Sequence, residues 1–466
     1  MRVAGSEHPL TQRDDETWAG EAPAGDYVFV LGDRALPDPC SRFQPNGIDG
    51  PSRAVDVTAF EIAPFDGVGL DELVVYELHV GTFSREGTFA GVVPRLAALR
   101  ELGVTAIELM PIATFPGARN WGYDGVYTFA PHPVYGGPEG LARLVDAAHR
   151  EGLGVILDVV YNHIGPGSER IASFGPYLTD RHDTFWGDAL DYARRGVREW
   201  AIQNAEQWIR DYRIDGLRLD AVHSVFDDSD PHILRELRDR VKAVDPSALV
   251  ISEMGAADFR PLREWHHDAM WLDSLHHELH VLLTGERDGY YADFGSMEGL
   301  VRELTRDEPQ RLVACAQNHD QVGNRALGDR LEPDAHRVAL ACILFATTTP
   351  LIFMGEEYDE PRPFQFFTDH TDPYIAEATR EGRKREFERF TSFSRDDIPD
   401  PQSSQTFERS KLDPREPNPF YAELLRLRRE LPRELDVRAE GRRVALRRGG
   451  AELVLDFDRR TAELHA

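Results

Sequence analysis

The chain has 466 residues, with 53 Lys+Arg against 81 Asp+Glu, a formal net charge of −28 and a hydrophobic fraction of 41%. At about 150 residues per domain this length implies two to four domains, and the acidic balance argues against nucleic acid or an anionic membrane surface as the main partner. Three scattered cysteines (Cys40, Cys315, Cys342), a polar N-terminus without a signal-peptide core, and an apolar stretch at 338–354 broken by threonines and Pro350 predict a soluble, cytoplasmic protein without disulfides.

Residues 1–65 read as a short β-rich domain, with 27–31 the clearest strand and turn-rich sequence after it. From Leu73 onward, short apolar runs alternate with helical patterns. Strands are predicted at 74–80, 105–109, 155–160, 216–222, 249–252, 269–272, 311–316 and 351–354. Helical spacing separates most of them, at 89–102, 138–150, 195–212, 231–241 and 334–346. Such alternation implies parallel strands joined by crossover helices. Eight repeats over about 280 residues fit an α/β fold of the (β/α)8 TIM-barrel type better than a doubly wound open sheet. The barrel is assigned to 66–390. The charged run at 374–400 (EGRKREFERF) reads as a solvated helix or linker. A helix at 421–430 and short alternating strands at 438–464 make 391–466 a C-terminal helix with a small antiparallel β domain.

In a TIM barrel, reactive groups project from the C-terminal ends of the strands. Four runs place carboxylates there: DVVYNH (158–163), GLRLDAVH (216–223), ISE (251–253) and QNHDQVG (317–323). A charge at the end of a buried strand is costly unless it is paired, protonated or functional. Period-two alternation puts Arg218 and Asp220 on one face, and the arginine keeps the carboxylate ionised, as a nucleophile requires. A structural ion pair is the plainer alternative. Glu253 follows the apolar run 248–251, so its carboxyl is expected in surroundings that raise its pKa, as suits a general acid; a capping glutamate is the alternative. Together the two fit a retaining glycosidase, whose carboxyl groups stand about 5–5.5 Å apart in opposite protonation states.

Asp320 adds a third carboxylate in a loop end rich in hydrogen-bonding groups, with Gln317, Asn318, His319 and Gln321. Such a loop suits sugar hydroxyls, and His163 and His223 are candidates for the same work. Phe115, Trp121, Tyr123 and Tyr127 crowd the loop after the second strand, where rings either stack on sugars or pack in the core. His163, His223 and His319 share no metal-binding spacing, and the adjacent His276 and His277 diverge on regular structure. Gly136-Gly137 is no phosphate loop. Neither metal nor cofactor is expected.

These four runs, in this order, resemble the signature regions of the α-amylase superfamily (glycoside hydrolase family 13). Within it, five segments are similar to the trehalohydrolases, which release trehalose from the end of maltooligosyltrehalose. They are YELHVGTFSREGTFAGV from Tyr76, NWGYDGVYTFAPHPVYGGPEGL from Asn120, LHVLLTGERDGYYADFG from Leu279, QNHDQVGNRALGDRL from Gln317 and LIFMGEEYDEPRPFQFFTDH from Leu351. The resemblance implies a retaining hydrolase that cleaves the α-1,4-glucosidic bond next to the trehalose end, with an α-glucan oligosaccharide as substrate. Asp220 is implied as nucleophile, Glu253 as proton donor and Asp320 as third carboxylate. Arg218 would orient Asp220, and Tyr123, His163, His223 and His319 would line the subsite of the ring being cleaved, with Trp121 nearby. Asp158 would support the site from the third strand, and Asp273, His276, His277 and Gln317 complete the implied substrate-binding set.

The sequence departs from the family in three places. Met254-Gly255-Ala256-Ala257 replaces a stretch usually rich in Asp and Asn. Trp271-Leu272-Asp273-Ser274-Leu275 replaces W-x-D-D-F. Both changes are expected on loops that shape the aglycone side, where trehalose would sit. The N-terminal region is also shorter than the family's immunoglobulin-like sandwich, and calcium is not implied. Rival readings are a glucan branching or debranching enzyme, a non-catalytic glycan-binding protein and a metal-dependent barrel hydrolase.

Overall fold

Eight parallel strands close into a barrel in the computed structural model of the chain, which describes residues 1–13, 17–184, 187–255, 258–387 and 397–466. They are β1 (Val75–Leu78), β2 (Ala106–Leu109), β3 (Gly154–Val159), β4 (Gly216–Leu219), β5 (Leu249–Ser252), β6 (Ala269–Trp271), β7 (Leu312–Cys315) and β8 (Thr349–Phe353). Each pairs with the next in sequence, and β8 returns to β1. Helices follow the strands: α1 (Leu96–Leu102), α2 (Gly137–Arg150), α3 (Arg195–Tyr212), α4 (Ile233–Val244), α5 (Arg260–Arg263), α6 (Asp273–Thr284) and α7 (Pro333–Phe345). This is the TIM barrel that the alternation predicts. The run 74–80 stays extended only to Leu78. There His79 turns the chain, with Nδ1 3.1 Å from Thr82 Oγ1 and Nε2 2.9 Å from the Asn120 carbonyl, and Val80–Phe83 becomes a helical turn.

Successive side chains of a strand point to opposite faces, and this sorts the barrel into layers. Outward residues such as Tyr76, Ile107, Leu157, Leu217 and Val250 join the main core under the helices. Inward residues Val75, Ala106, Ile156, Leu249, Ile251, Ala269, Val313 and Leu351 form a separate apolar floor. Two residues further along these inward faces come Glu77, Glu108, Asp158 and Glu253, and Arg218 follows Gly216 in the same way. The polar layer thus lies on the C-terminal side of an apolar plug, each large aliphatic member of which contributes about 1.5–3 kcal/mol by leaving water.

The apolar stretch at 338–354 is α7 running into β8. Val338 through Phe345 are all buried, because α7 packs against the C-terminal sheet as well as the barrel. Among the described residues no helix is long and apolar enough to cross a membrane. The C-terminal sheet is an antiparallel meander of Asp436–Glu440, Arg443–Arg448, Ala451–Asp456 and Thr461–His465. Its Arg448 donates to the Phe345 carbonyl at 3.1 Å, so a cation caps the C-terminal end of α7. At the N-terminus, Arg2–Val3, Ser6–Glu7, Asp26–Leu31, Arg34–Leu36 and Ser52–Arg53 form one small antiparallel sheet, and Thr11–Gln12 pairs with Trp18–Ala19.

The charged run read as a solvated helix or linker is more than that. Pro373–Glu386 is a helix, and its Arg383 is buried, donating to the carbonyls of Gly323 (2.8 Å) and Arg325 (2.9 Å) while lying over Phe366 and Phe387. Residues 388–396, including the 390/391 boundary, fall outside the described residues. Arg383 thereby holds the end of the short helix His319–Gly323, which carries Asp320. Gly323 faces Trp121 so closely that a Cβ would sit 2.1 Å from the indole ring. Gly323→Ala is therefore expected to destabilise the protein by about 1–3 kcal/mol through overpacking. Gly196→Ala, in open space at the start of α3, is expected to stabilise it by roughly 0.5 kcal/mol. Denaturant midpoints of the two variants check the contrast.

Candidate active site

Arg218 on β4 is wholly buried and serves three carboxyl groups. Its Nη1 donates to Asp158 Oδ2 at 2.7 Å and Asp220 Oδ1 at 2.9 Å, and its Nη2 donates to Glu253 Oε2 at 2.8 Å. The guanidinium also lies over the Trp271 ring, 4.1 Å from its centroid. Strand register explains the grouping: Asp158 pairs with Arg218 across β3–β4, and Arg218 with Ile251 across β4–β5, two residues before Glu253. Asn162 Nδ2 donates to the second oxygen of Asp220 at 2.8 Å. Beyond Asp220 the backbone enters the left-handed region at Ala221 (φ 40°), a conformation that costs a residue with a Cβ about 1–2 kcal/mol. The turn aims the Ala221 N–H at Glu253 Oε2, at 2.8 Å.

The sequence places Glu253 among apolar neighbours. The structure corrects this, since one of its oxygens accepts from both a guanidinium and a backbone amide. Glu253 Oε1 has no protein partner among the described residues, and the side chain keeps 18% of its exposure, so this oxygen is the one open to a ligand. Asp158 behaves differently. Burial pushes its carboxyl up to about 7 although Arg218 opposes the shift. Asp273 is likewise pushed up to about 7, by burial and then by the charges of Glu253 and Asp320.

Across the barrel mouth, Asp320 is one-third exposed, with Oδ1 held by Asn324 Nδ2 at 3.0 Å and Oδ2 3.4 Å from His319 Nε2. The Tyr123 ring stacks on His319, and its hydroxyl reaches Asp158 Oδ2 at 2.6 Å and His319 Nε2 at 2.7 Å. Asp158, Tyr123, Arg218, Asp220, Glu253, His319 and Asp320 are thus joined in one continuous hydrogen-bonded and ion-paired assembly.

Other expected site residues stand around this assembly. Trp121 is buried, stacked on Phe364, and its indole N–H is spent on the Gln365 carbonyl. His163 Nε2 contacts the Tyr123 carbonyl at 2.9 Å and Nδ1 the Asn162 amide oxygen, so it braces two site residues; burial pulls it down to about 4. His223 is exposed just past Ala221. Gln317 bonds Glu356 and the Leu331 N–H, which leaves its amide directed into the protein. His276 has Nδ1 on the Ala316 carbonyl and Nε2 on the Tyr291 hydroxyl, while His277 packs among Tyr290, Tyr291 and Phe294. Phe115 and Tyr127 are core residues.

Neither Ser274 nor Met254 lies on a loop facing the cleft. Ser274 lies in the first turn of α6 and donates to Glu303 Oε2 at 2.7 Å, and Met254 is buried in the main core; Ala256 and Ala257 lie outside the described residues. The sequence reading also passed over Glu77, Glu108 and Asn162. Glu77 holds His319, and Glu108 is fully buried with neither oxygen bonded; burial, then the Glu77 and Asp158 charges, push it well above the usual carboxyl range. No group of three or more His, Cys, Asp or Glu side chains among the described residues is arranged to hold a metal ion.

Comparison with known proteins adds to this geometry. Residues 49–175 match the alpha amylase catalytic domain. A malto-oligosyltrehalose trehalohydrolase of Deinococcus radiodurans is 43% identical, over 93% of this chain and 79% of its own length. One from Saccharolobus solfataricus is 42% identical, over 87% and 77%. The chain belongs to the malto-oligosyltrehalose trehalohydrolase family. A crystal structure from Salmonella typhimurium, described as a candidate alpha amylase, superposes with a TM-score of 0.87 at 36% identity over 97% of this chain and 88% of that one. The protein is accordingly a glycoside hydrolase on an α-amylase barrel.

Within this family member the guanidinium cannot be replaced by a single charge. Lysine presents one ammonium where Arg218 spans three carboxyl groups in a planar fork. Arg218→Lys is expected to lower kcat by roughly 100-fold or more and to destabilise the fold by about 3–5 kcal/mol, because buried carboxylates lose their partner. Steady-state kinetics and chemical unfolding measure both; a variant within a few-fold of wild type in each would contradict the assignment.

Proposed function

We propose that this enzyme is a retaining, endo-acting α-glycosidase that releases trehalose from the end of malto-oligosyltrehalose. One observation carries the mechanism: Asp220 and Glu253, at the mouths of adjacent strands, share the guanidinium of Arg218. Asp220, ionised beside that cation, attacks the anomeric carbon on the maltooligosaccharide side of the scissile bond. Glu253 gives its proton to the oxygen that leaves with trehalose. Water then enters. Glu253 takes its proton, the water oxygen bonds to the anomeric carbon, and Asp220 departs, freeing the maltooligosaccharide. Asp320 and Tyr123, at the open edge of the assembly, contact the hydroxyls of the ring being cleaved.

The ligand is a neutral α-glucan oligosaccharide, so the net charge of −28 serves solubility and not recognition. Three free cysteines, two of them buried, support a reducing cytoplasmic setting.

Incubation with malto-oligosyltrehalose, followed by chromatography, is expected to yield trehalose and a maltooligosaccharide. Asp220→Asn and Glu253→Gln are each expected to reduce kcat by roughly 1000-fold or more with unchanged circular dichroism. New α-1,6 linkages made from amylose, without trehalose, would point to a branching enzyme instead. Tight binding of the oligosaccharide with no turnover by the wild type would point to a glycan-binding protein.

A further inference from the structure

Joined through Tyr123 to the carboxyl groups held by Arg218 is a second polar assembly, anchored by a residue outside every signature run. Glu77 on β1 is 1% exposed. Its Oε1 is 2.5 Å from His319 Nδ1, and its Oε2 accepts from the backbone N–H of the same residue at 3.0 Å. Glu77 therefore grips both the ring and the main chain of His319.

Proton counting fixes the state of that ring. The Tyr123 hydroxyl has one proton and two close neighbours, Asp158 Oδ2 at 2.6 Å and His319 Nε2 at 2.7 Å. Burial holds the Asp158 carboxyl up at about 7, so at about pH 8 its Oδ2, which also accepts from Arg218 Nη1, carries no proton and takes that of the hydroxyl. His319 Nε2 must then donate to the tyrosine oxygen. Nδ1 faces a carboxylate oxygen that can only accept from it, so Nδ1 donates too. A ring that donates from both nitrogens is an imidazolium.

The surrounding charges agree with this count. Burial alone would push His319 down, but the charges of Asp320 and Glu77 and the Glu77 hydrogen bond outweigh it and hold the ring at about 10. Arg218 opposes them. Asp158, Asp273 and Glu108 feel the His319 charge, as does His79, which burial keeps neutral. Glu108, paired in register with Glu77, is pushed well above the usual carboxyl range by burial and then by the charges of Glu77 and Asp158. The Trp121 and Trp271 rings, 5.8 and 6.0 Å away, supply the apolar walls.

We propose that Glu77 is a positioning residue for the glycosidic reaction: it holds His319 as an imidazolium, and that cation fixes the Tyr123 hydroxyl and the Asp320 carboxylate at the cleft. The inference rests on the reading of Tyr123 and Asp320 as sugar-contacting groups. It adds a second cation in contact with them, with Glu77 as its counter-ion. Arg218 governs Asp158, Asp220 and Glu253, and His319 governs Tyr123 and Asp320.

The test has a spectroscopic and a kinetic arm. In full-length protein labelled with 15N-histidine, the ring signals lost in His319→Gln are expected to show two protonated nitrogens in the wild type at about pH 8, well above the ordinary histidine pKa of about 6.5. Glu77→Asp is expected to keep that state, and Glu77→Gln to return the ring to titration near its ordinary range. In parallel, Glu77→Gln is expected to lose roughly 10–100-fold in kcat at about pH 8, with a smaller change in KM, and to regain activity as acid restores the imidazolium. A singly protonated His319 in the wild type at that pH overturns the proposal, whether or not Glu77→Gln folds. So does a Glu77→Gln variant with wild-type kcat and pH profile. If the wild type releases no trehalose, the functional reading fails while the nitrogen spectrum still decides the charge state of His319.

Discussion

One buried guanidinium organises the mouth of this barrel. Removing Arg218 from water is expensive, and the structure compensates with three charge-assisted hydrogen bonds and an indole face 4.1 Å away. Each partner comes from a different strand end: Asp158 from β3, Asp220 from β4 and Glu253 from β5. The guanidinium therefore ties the relative height of three strands to the relative position of the two groups proposed as nucleophile and proton donor. The left-handed backbone at Ala221 belongs to the same constraint, because its amide reaches the oxygen of Glu253 that Arg218 holds.

The layering below this cluster follows from strand periodicity. Apolar inward residues fill the floor, and the next inward position on β1, β2 and β3 is a carboxyl, at Glu77, Glu108 and Asp158. Three acids so close together cannot all ionise cheaply. Glu108 is forced toward its neutral form, Asp158 is pushed up to about 7, and Glu77 is matched with His319. The site holds its negative charge by dividing it between two cations, one on β4 and one on the helix that follows β7. Arg383 contributes from outside the barrel, since its bonds to Gly323 and Arg325 fasten that helix in place.

The eight barrel strands were legible because each is a short buried run ending in turn or polar residues, and their alternation with helical spacing has few structural solutions. Asp220, Glu253 and Asp320, which the structure brings into one assembly, stood out for a related reason, as charges that terminate apolar runs. Glu77 and Glu108 carry a similar signal, since each is an acid flanked by apolar residues in YEL and IEL. They sit inside the run, however, where a search of strand ends does not look. The helix Asp273–Thr284 was missed because it is buried on most sides, which blurs its apolar periodicity. Ser274 and Met254 were placed on cleft loops because the sequence gives their neighbours in the chain but not Glu303 or the core they pack against. Arg383 was hidden in a charge run, and only the tertiary fold distinguishes its buried guanidinium from the solvated ones around it.

The central claim is that Asp220 and Glu253, bridged by Arg218, perform a double displacement. The most direct measurement is proton NMR of the first product formed from malto-oligosyltrehalose, recorded before the new reducing end equilibrates. Two inversions at the anomeric carbon give the maltooligosaccharide initially as its α-anomer. An initial β-anomer would mean that water attacks the bond directly, and would contradict Asp220 as the nucleophile.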